Sequence, residues 1–277
     1  EPKNNAIIKI WVDDRGGTQP KLTQSLYTEL ITQANQAGIK VVAHQQDSVD
    51  TERLVRAGAA GFLHGRFEDE ISEALSNSLA ESNVFVIPNL GLSLLRHLSI
   101  AEDPLLRETL PAVTLSRLGT RDFAKDGNSI PVSNLNDRVR GELDQLISNL
   151  DSSIRSNFLH AIERGVPIVL GTDAGALPDN FFGYTGHKEL EIFVALGMSP
   201  EQAIGAATYV AASQLGLTDR GKLERGRRAD FLLLNSNPLN NIRATQDIYA
   251  VFLLGEELDR KLISEQLTQD RNPGDVY

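Results

Sequence analysis

Short apolar runs alternate with amphipathic helical segments through the first two-thirds of the chain, and this order constrains the fold more than any other feature. Strands are predicted at residues 6–12, 40–44, 61–64, 84–87 and 166–170. Helices are predicted at residues 23–36, 48–57, 68–80 and 137–164, and no hairpin signal joins consecutive strands. Strands joined by helices form parallel βα units with right-handed crossovers. The sequence therefore predicts an α/β fold built on a parallel sheet.

The pattern changes in the last third of the chain. Three helices are predicted at residues 188–196, 200–206 and 210–215, and two apolar runs at 229–234 and 249–254 follow with turn residues between them. These two runs predict a small sheet that does not join the parallel one. We therefore expect a main domain at 1–216 and a β-rich domain at 217–277. Residues 91–135 show no strand alternation and are interpreted as a long insertion, helical around 105–118.

Composition narrows the possible functions. The 277 residues are close to the ~250 typical of a single α/β barrel. The absence of cysteine excludes a disulfide scaffold, thiolate metal ligands and a cysteine nucleophile. A net charge of −10 argues against nucleic-acid binding. The sequence contains no apolar stretch of ~18 residues, the length that would predict a membrane-spanning helix. We expect a small-molecule substrate, and the compartment stays open between cytoplasmic and periplasmic or secreted.

Ionisable residues cluster at the ends of the predicted strands. Lys9 lies within the first strand, His44 ends the second and His64 ends the third. Asp173 follows the fifth strand within the segment GTDAG. Chemistry in parallel α/β folds gathers at the carboxyl ends of the strands, so we expect these four residues to converge on one pocket. His187 opens a helix close in sequence to Asp173 and is a further candidate to line this pocket.

Each of these residues alone has an ordinary structural explanation. A histidine at a strand end is more often a hydrogen-bonded structural residue, and Asp173 alone is a common loop-capping residue. Lys9 is harder to explain, because a charged lysine within an apolar strand is costly unless it is paired or modified.

Together the four residues predict metal chemistry. Neutral imidazoles and carboxylates suit Zn²⁺ and similar divalent ions. Lys9 can join such a site only if its ammonium is lost, and carbamylation by CO₂ converts it to an anionic carbamate. A metal-activated water would then hydrolyse a substrate near neutral pH, with Asp173 orienting the water and moving its proton.

Six segments extend this pattern almost from end to end of the chain. They lie at residues 7–18, 39–47, 56–65, 165–175, 187–208 and 221–242, and include GVPIVLGTDAG and GKLERGRRADFLLLNSNPLNNI. In these segments and their spacing the chain resembles the metal-dependent amidohydrolase superfamily, in its imidazolonepropionase-like and Xaa-Pro-dipeptidase-like branch. The resemblance implies a distorted TIM-like (β/α)8 barrel beside a small β-sandwich, with one or two metal ions.

The resemblance also implies a role for each candidate residue. Lys9 matches the carbamylated lysine of barrel strand 4, and His44 and His64 match the metal-binding histidines of strands 5 and 6. Asp173 matches the aspartate of strand 8, which binds metal and serves as general base. Asn89, after strand 7, lies where the branch often has a small polar residue, which implies contact with substrate.

The chain departs from the family at its start. The family carries a His-x-His pair on barrel strand 1, and no His-x-His occurs in this sequence. The first matching strand corresponds to barrel strand 4. We therefore expect the C-terminal portion of the barrel, strands 4 to 8, with part of the β-sandwich. The strand at 6–12 would then lie at an open edge, to be covered in a homo-oligomer or by a partner chain that supplies the missing strands.

Three functions remain open. The first is a metal-dependent hydrolase of amide, lactam, dipeptide or ester bonds that needs the missing strands for full activity. The second is a non-catalytic or split-subunit remnant that acts through assembly with a partner chain. The third is a Schiff-base barrel lyase using Lys9. The two histidines and the GTDAG segment favour the first function over the third.

Overall fold

The computed structural model describes residues 7–45, 47–64, 71–91, 103–119, 152–176 and 180–268. Its first sheet has four parallel strands, which lie side by side in chain order: β1 (Ile7–Val12), β2 (Lys40–Gln45), β3 (Gly61–Leu63) and β4 (Phe85–Ile87). Helices connect them in turn: α1 (Gln24–Gln36), α2 (Ser48–Ala57) and α3 (Glu73–Glu81). The predicted α/β fold with a parallel sheet is confirmed.

Local sequence signals set the ends of these helices. Asp47 caps α2, because its carboxylate accepts a 2.7 Å hydrogen bond from the backbone N–H of Asp50. Gly58 ends the same helix in the left-handed region at φ 92°. A Cβ at this glycine would lie 2.9 Å from Nδ2 of Asn35, which is the movable end of a side chain, so the backbone conformation is what requires glycine.

The later helices agree with the predicted pattern where they are described. Two short helices, α4 (Pro104–Thr109) and α5 (Ala112–Gly119), occupy the predicted helical part of the insertion, and Pro111 lies between them. The long predicted helix appears as α6 (Ser152–Glu163), and the start predicted for it lies outside the described residues, as does most of the insertion. The next helices are α7 (Tyr184–Ala195), α8 (Pro200–Ala207) and α9 (Tyr209–Gln214).

The predicted fifth strand at 166–170 is wrong as a strand. It makes one parallel bridge, in which Val86 donates to the carbonyl of Pro167 and Val169 donates to that of Val86, both at 2.9 Å. In this parallel pairing the next backbone donor after Val86 would be residue 88. That residue is Pro88, which has no N–H to donate. The segment therefore lies beside β4 without forming a ladder.

The strand register divides the sheet into two faces. Paired residues of parallel neighbours point to the same side, so Trp11 and His44 share one face with Leu63 and Ile87. On this face a buried cluster of Val42, Phe85 and Val169 is packed against partly buried apolar side chains, among them Leu63, Ile87, Val210 and Ala211. On the other face the side chains are buried: Ile10, Val12, Val41, Ala43, Phe62 and Val86.

Among the described residues, β1 pairs only with β2 and forms an edge of the sheet. Its Ile7, Ile8 and Trp11 side chains are 36–38% exposed. Lys9 is also exposed, and its ammonium lies 5.6 Å from the centroid of the Trp11 indole. The cost of burying a charge, which predicts that Lys9 is paired or modified, therefore does not apply in this structure, because the described residues place one strand beside β1.

The C-terminal strands form a sheet of their own, as predicted. Strands β5 (Phe231–Leu234), β6 (Ile248–Leu253) and β7 (Glu256–Glu257) are antiparallel and hydrogen-bonded in this order. Phe231 faces Phe252, and their rings stack at 4.5 Å between centroids. A 3₁₀ helix (Ile242–Gln246) lies between β5 and β6, and α10 (Arg260–Thr268) follows β7.

Backbone contacts divide the chain into two compact units. The first comprises Glu1–Leu90, Leu150–Thr172 and Glu189–Arg228, and the second comprises Gly91–Asn149, Asp173–Lys188 and Ala229–Tyr277. The domain boundary at 216/217 stays a prediction. Within the described part of the chain, none of the helices has the length and apolar character needed to cross a membrane.

Candidate functional site

Two of the predicted residues, His44 and His64, meet at the carboxyl edge of the parallel sheet. His44 lies in β2 and pairs with Leu63 of β3, so His64 follows directly on the neighbouring strand. The two ring centroids are 4.7 Å apart with an interplanar angle of 63°. The histidines are only 6% and 9% exposed. The structure therefore places two imidazoles side by side in a largely water-excluded position.

His44 is held by two residues of the β1 edge that the sequence analysis missed. The Trp11 indole stacks on its ring at 3.9 Å between centroids and 16° between planes. Nε2 of His44 lies 3.2 Å from Oδ2 of Asp13, and both side chains are largely buried. Asp13 follows β1 directly, at the same carboxyl edge as the histidines, and this position is the signal that could have identified it.

The Asp13 contact determines which nitrogen of His44 has a free lone pair. An ionised carboxylate only accepts hydrogen bonds, so Nε2 must carry the hydrogen. In the neutral ring Nδ1 is then the unprotonated nitrogen, and it is buried with no hydrogen-bond partner among the described residues. Metal-binding histidines commonly donate their other N–H to a carboxylate in this way.

The charge state of His44 fits the same role. Burial lowers the pKa of His44, against the opposing effect of the Asp13 carboxylate, which raises it. The positive charges of Lys9 and Arg15 lower the pKa further. The neutral imidazole that metal coordination requires is therefore the favoured form.

His64 and two other candidates adopt left-handed backbone conformations. The φ angles of His64, Asn89 and Asp173 are 58°, 52° and 51°. This region is uncommon for residues other than glycine, although His, Asn and Asp enter it several times more often than most residues, and Arg15, Asn83 and Leu254 adopt it as well. The buried Asn89 contributes to holding this arrangement, because its Oδ1 accepts a 3.3 Å hydrogen bond from the backbone N–H of His64. A contact of Asn89 with substrate stays a prediction.

A fully buried glutamate supports the turn after β4. Glu189 of α7 accepts a 2.8 Å hydrogen bond at Oε1 from the backbone N–H of Leu90. Leu90 is adjacent to Asn89, which in turn holds His64. Glu189 therefore acts on the histidine pair through the turn at 89–90. The sequence signal is a pair of glutamates, Glu189 and Glu191, within the apolar segment HKELEIFVAL, which the sequence analysis uses as a helix and for the family resemblance but not as part of the site.

Asp173 and His187 belong to the second compact unit. The backbone carbonyl of Asp173 accepts a 2.8 Å hydrogen bond from Nδ2 of Asn180. Nδ1 of His187 lies 3.0 Å from Oγ1 of Thr245. Helix α7 begins at Tyr184, so His187 lies in its first turn rather than opening it. The convergence of these two residues on the histidine pair stays a prediction.

The geometry just described fits part of a metal site. The described residues include no group of three or more His, Asp or Glu side chains placed to hold one ion. Two adjacent imidazoles supply two ligands, and zinc sites usually have four. His44 and His64 therefore fit a metal ion that completes its coordination with other groups.

Comparison with known proteins identifies the family. The sequence matches the amidohydrolase family over residues 3–258. The chain belongs to the amidohydrolase family. It is 34% identical over 100 residues to the imidazolonepropionase of Deinococcus radiodurans, covering 35% of this chain and 25% of that protein. It is 37% identical over 108 residues to the ochratoxinase of Aspergillus niger, covering 36% of this chain and 20% of that protein.

Solved structures show the same fold over most of the chain. A Xaa-Pro dipeptidase with bound methionine matches with a TM-score of 0.62 and 24% identity, covering 91% of this chain and 54% of that one. The A. niger ochratoxinase matches with a TM-score of 0.60 and 21% identity, covering 91% of this chain and 50% of that one. The chain thus spans about half the length of these structures. The expected superfamily and its partial-barrel fold are confirmed, and homologues in the family are hydrolytic enzymes.

The lowered pKa of His44 predicts that the metal-free chain loses stability in mild acid. The unfolded histidine takes up a proton first, near pH 6.5, so its contribution is complete above this pH and declines as the pH falls towards the lower folded pKa. We expect His44→Gln to reduce the difference in unfolding free energy between pH 7.5 and pH 5.5, measured by urea unfolding with a chelator present. His160→Gln, which removes a histidine on α6, serves as the control. If the unfolding free energy of the unmodified chain, His44→Gln and His160→Gln depended equally on pH, this prediction would be contradicted.

The Glu189 hydrogen bond predicts a local effect at the turn after β4. Glu189→Ala leaves the buried N–H of Leu90 without its acceptor, at a cost of about 1–3 kcal/mol. We expect faster native-state amide exchange at Leu90 and His64. Glu189→Gln retains an acceptor oxygen and is expected to keep most of the protection, and the exposed Glu163→Ala is the control. Unchanged exchange at Leu90 in Glu189→Ala would show that this hydrogen bond does not hold the turn.

Proposed function

We propose that this chain forms part of the active site of a metal-dependent hydrolase of amide, lactam, dipeptide or ester bonds. The observation that carries the proposal is the buried pair of His44 and His64, with the Nδ1 lone pair of His44 unengaged among the described residues. Membership of the amidohydrolase family supports hydrolysis as the reaction class.

His44 and His64 would hold the metal, and Zn²⁺ is the ion that their imidazoles favour. Lys9 as a CO₂-derived carbamate and Asp173 are proposed as further ligands of one or two ions. A bound divalent cation would activate water and polarise the carbonyl of the scissile bond. Two ligands are too few for a tight site, so the remaining ones come from these residues or from further polypeptide.

The chain's own residues would orient the site and move protons. Asp13 holds the N–H of His44 and fixes its tautomer, while the Trp11 indole fixes the plane of the ring. Asn89 and Glu189 fix the backbone that carries His64. We propose that the Asp173 carboxylate takes a proton from the attacking water and delivers it to the leaving group.

Dipeptides with proline in the second position are the first substrates to test. A Xaa-Pro dipeptidase and a putative prolidase from Bifidobacterium longum, 24% and 25% identical to this chain, are among the solved structures that share its fold. We propose that Asn89 and His187 contact the substrate, which reaches the site as a small molecule.

The two alternative functions differ in their support. A Schiff-base lysine needs a neutral amine, usually obtained by desolvation or by a neighbouring cation, and Lys9 is exposed over the face of Trp11. This argues against the lyase. The remnant alternative draws support from the missing third metal ligand among the described residues. Under that alternative the chain would bind metal only after assembly with a partner.

Zinc affinity tests the proposal without relying on turnover. We expect the 277-residue chain to bind Zn²⁺ in competition with a chromophoric chelator, and His44→Asn or His64→Asn to abolish most of this binding. Asp13→Asn keeps the shape of the side chain but removes the carboxylate, and should weaken affinity about 10–100-fold. Asp14→Asn makes the same substitution at the adjacent residue and is the matched control. Equal affinities of the two aspartate variants would overturn the role of Asp13, and a chain that binds no zinc would favour the remnant.

The edge of β1 predicts how the chain assembles. An edge strand with exposed backbone groups and three exposed apolar side chains favours association. We propose that another strand covers this edge, from a second copy or from a partner chain. Light scattering of the purified chain should give a mass above that of a monomer, and Ile8→Lys with Trp11→Lys should reduce it. A monodisperse monomer with full zinc-dependent hydrolysis of esters and dipeptides would show that no further strand is needed.

A further inference from the structure

A cleft of about 290 Å³ lies within the first compact unit, away from the residues of the histidine pair in sequence. It is formed by α9 and the loop that follows it. Its lining carries three cationic side chains and no acidic one: Tyr209, Ala212, Ser213, Gly216, Leu217, Thr218, Arg220, Lys222 and Arg227. In a chain with a net charge of −10, this is a local reversal of sign.

The three cations differ in how far their charge is neutralised. Arg220 pairs with Asp219 at 2.8 Å and Arg227 with Glu224 at 2.7 Å, and neither carboxylate belongs to the lining. The ammonium of Lys222 lies 5.3 Å from the centroid of the Tyr209 ring and makes no ion pair within the described part of the chain. Lys222 is therefore the cation most available to a ligand.

The loop that carries these cations is packed closely on α9. Gly221 has φ 87°, and a Cβ there would lie 2.8 Å from Cβ of Ala212 and 2.9 Å from Cα of Tyr209. The Arg227 guanidinium donates a 2.5 Å hydrogen bond to the carbonyl of Thr218. The backbone of this loop and the Arg227 guanidinium are thus held in place before any ligand binds, which reduces the entropy lost on binding.

We propose that this cleft binds a small phosphate monoester. The cations suit a phosphate dianion, and the hydroxyls of Ser213 and Thr218 can donate to its remaining oxygens. The cleft is about ten times the ~30 Å³ share of one liquid water, which leaves room for an organic group beside the phosphate. Ala212 and Leu217 supply an apolar wall for that group. The site is independent of the proposed hydrolase chemistry.

Titration of the ¹⁵N-labelled, chelator-treated chain at constant ionic strength tests this proposal. Phenyl phosphate, inorganic phosphate and phenol are the probes. We expect phenyl phosphate to shift amide signals within 209–227 and to bind several-fold more tightly than inorganic phosphate, while phenol does not bind. Lys222→Gln should raise the dissociation constant about tenfold, as expected for the loss of one charged hydrogen bond, and Lys222→Arg should largely restore binding.

Lys261→Gln on α10 is the matched control, because it removes the same charge from a side chain that is 88% exposed. It should leave the dissociation constant unchanged. Equal weakening by the two glutamine variants would mean that the ligand responds only to overall charge, and would overturn the site. Shifts centred on His44 and His64, or binding of phenol as tight as that of phenyl phosphate, would overturn it as well.

Discussion

The parallel register of β1 and β2 pairs Trp11 with His44, and the geometry of the histidine site depends on this pairing. Because side chains alternate along a strand, a slip of one residue would turn either side chain to the opposite face. The register is specified by burial, since Ile10 and Val12 point to the buried face while Trp11 points to the face of His44. The same register brings Asp13, the next residue after β1, to Nε2 of His44. Apolar packing on one face thus sets the tautomer of an imidazole on the other.

The second half of the site depends on strained turns held by buried hydrogen bonds. His64 and Asn89 each leave a strand in a left-handed conformation, which costs about 1 kcal/mol or more for most residues and less for asparagine. Asn89 bonds the backbone of His64, and Glu189 bonds the backbone of Leu90. A hydrogen bond contributes about 0.5–1.5 kcal/mol net, and leaving the buried N–H of Leu90 without its acceptor would cost about 1–3 kcal/mol, which is comparable with the conformational cost. The buried carboxylate of Glu189 therefore has a local reason to be in an otherwise apolar helix.

The elements that the sequence predicted well are those encoded locally. β1, β2 and α2 are bounded by turn residues and caps a few positions away, so their limits followed from short windows. The histidines were found for the same reason, because each one stands at the end of an apolar run. The predictions that failed depend on contacts between distant parts of the chain. The segment at 166–170 is limited by Pro167 within it and by Pro88 far away in sequence, and Glu189 meets Leu90 across 99 positions. The exposure of Lys9 depends on the number of strands beside β1, which periodicity does not report.

Electrostatics links Lys9 to the metal affinity of the histidine pair. The positive charges of Lys9 and Arg15 disfavour the protonated form of His44, and they oppose a metal cation at the same ring by the same Coulomb interaction. Conversion of Lys9 to a carbamate would replace one positive charge with a negative one, a change of two units beside the site. The opposition would then become attraction, reduced by solvent because Lys9 is exposed. By thermodynamic reciprocity, a metal ion on His44 would favour the carbamate to the same extent as the carbamate favours the metal. On this argument metal binding and carbamylation would each favour the other, and removing the metal would lower the fraction of Lys9 that is carbamylated.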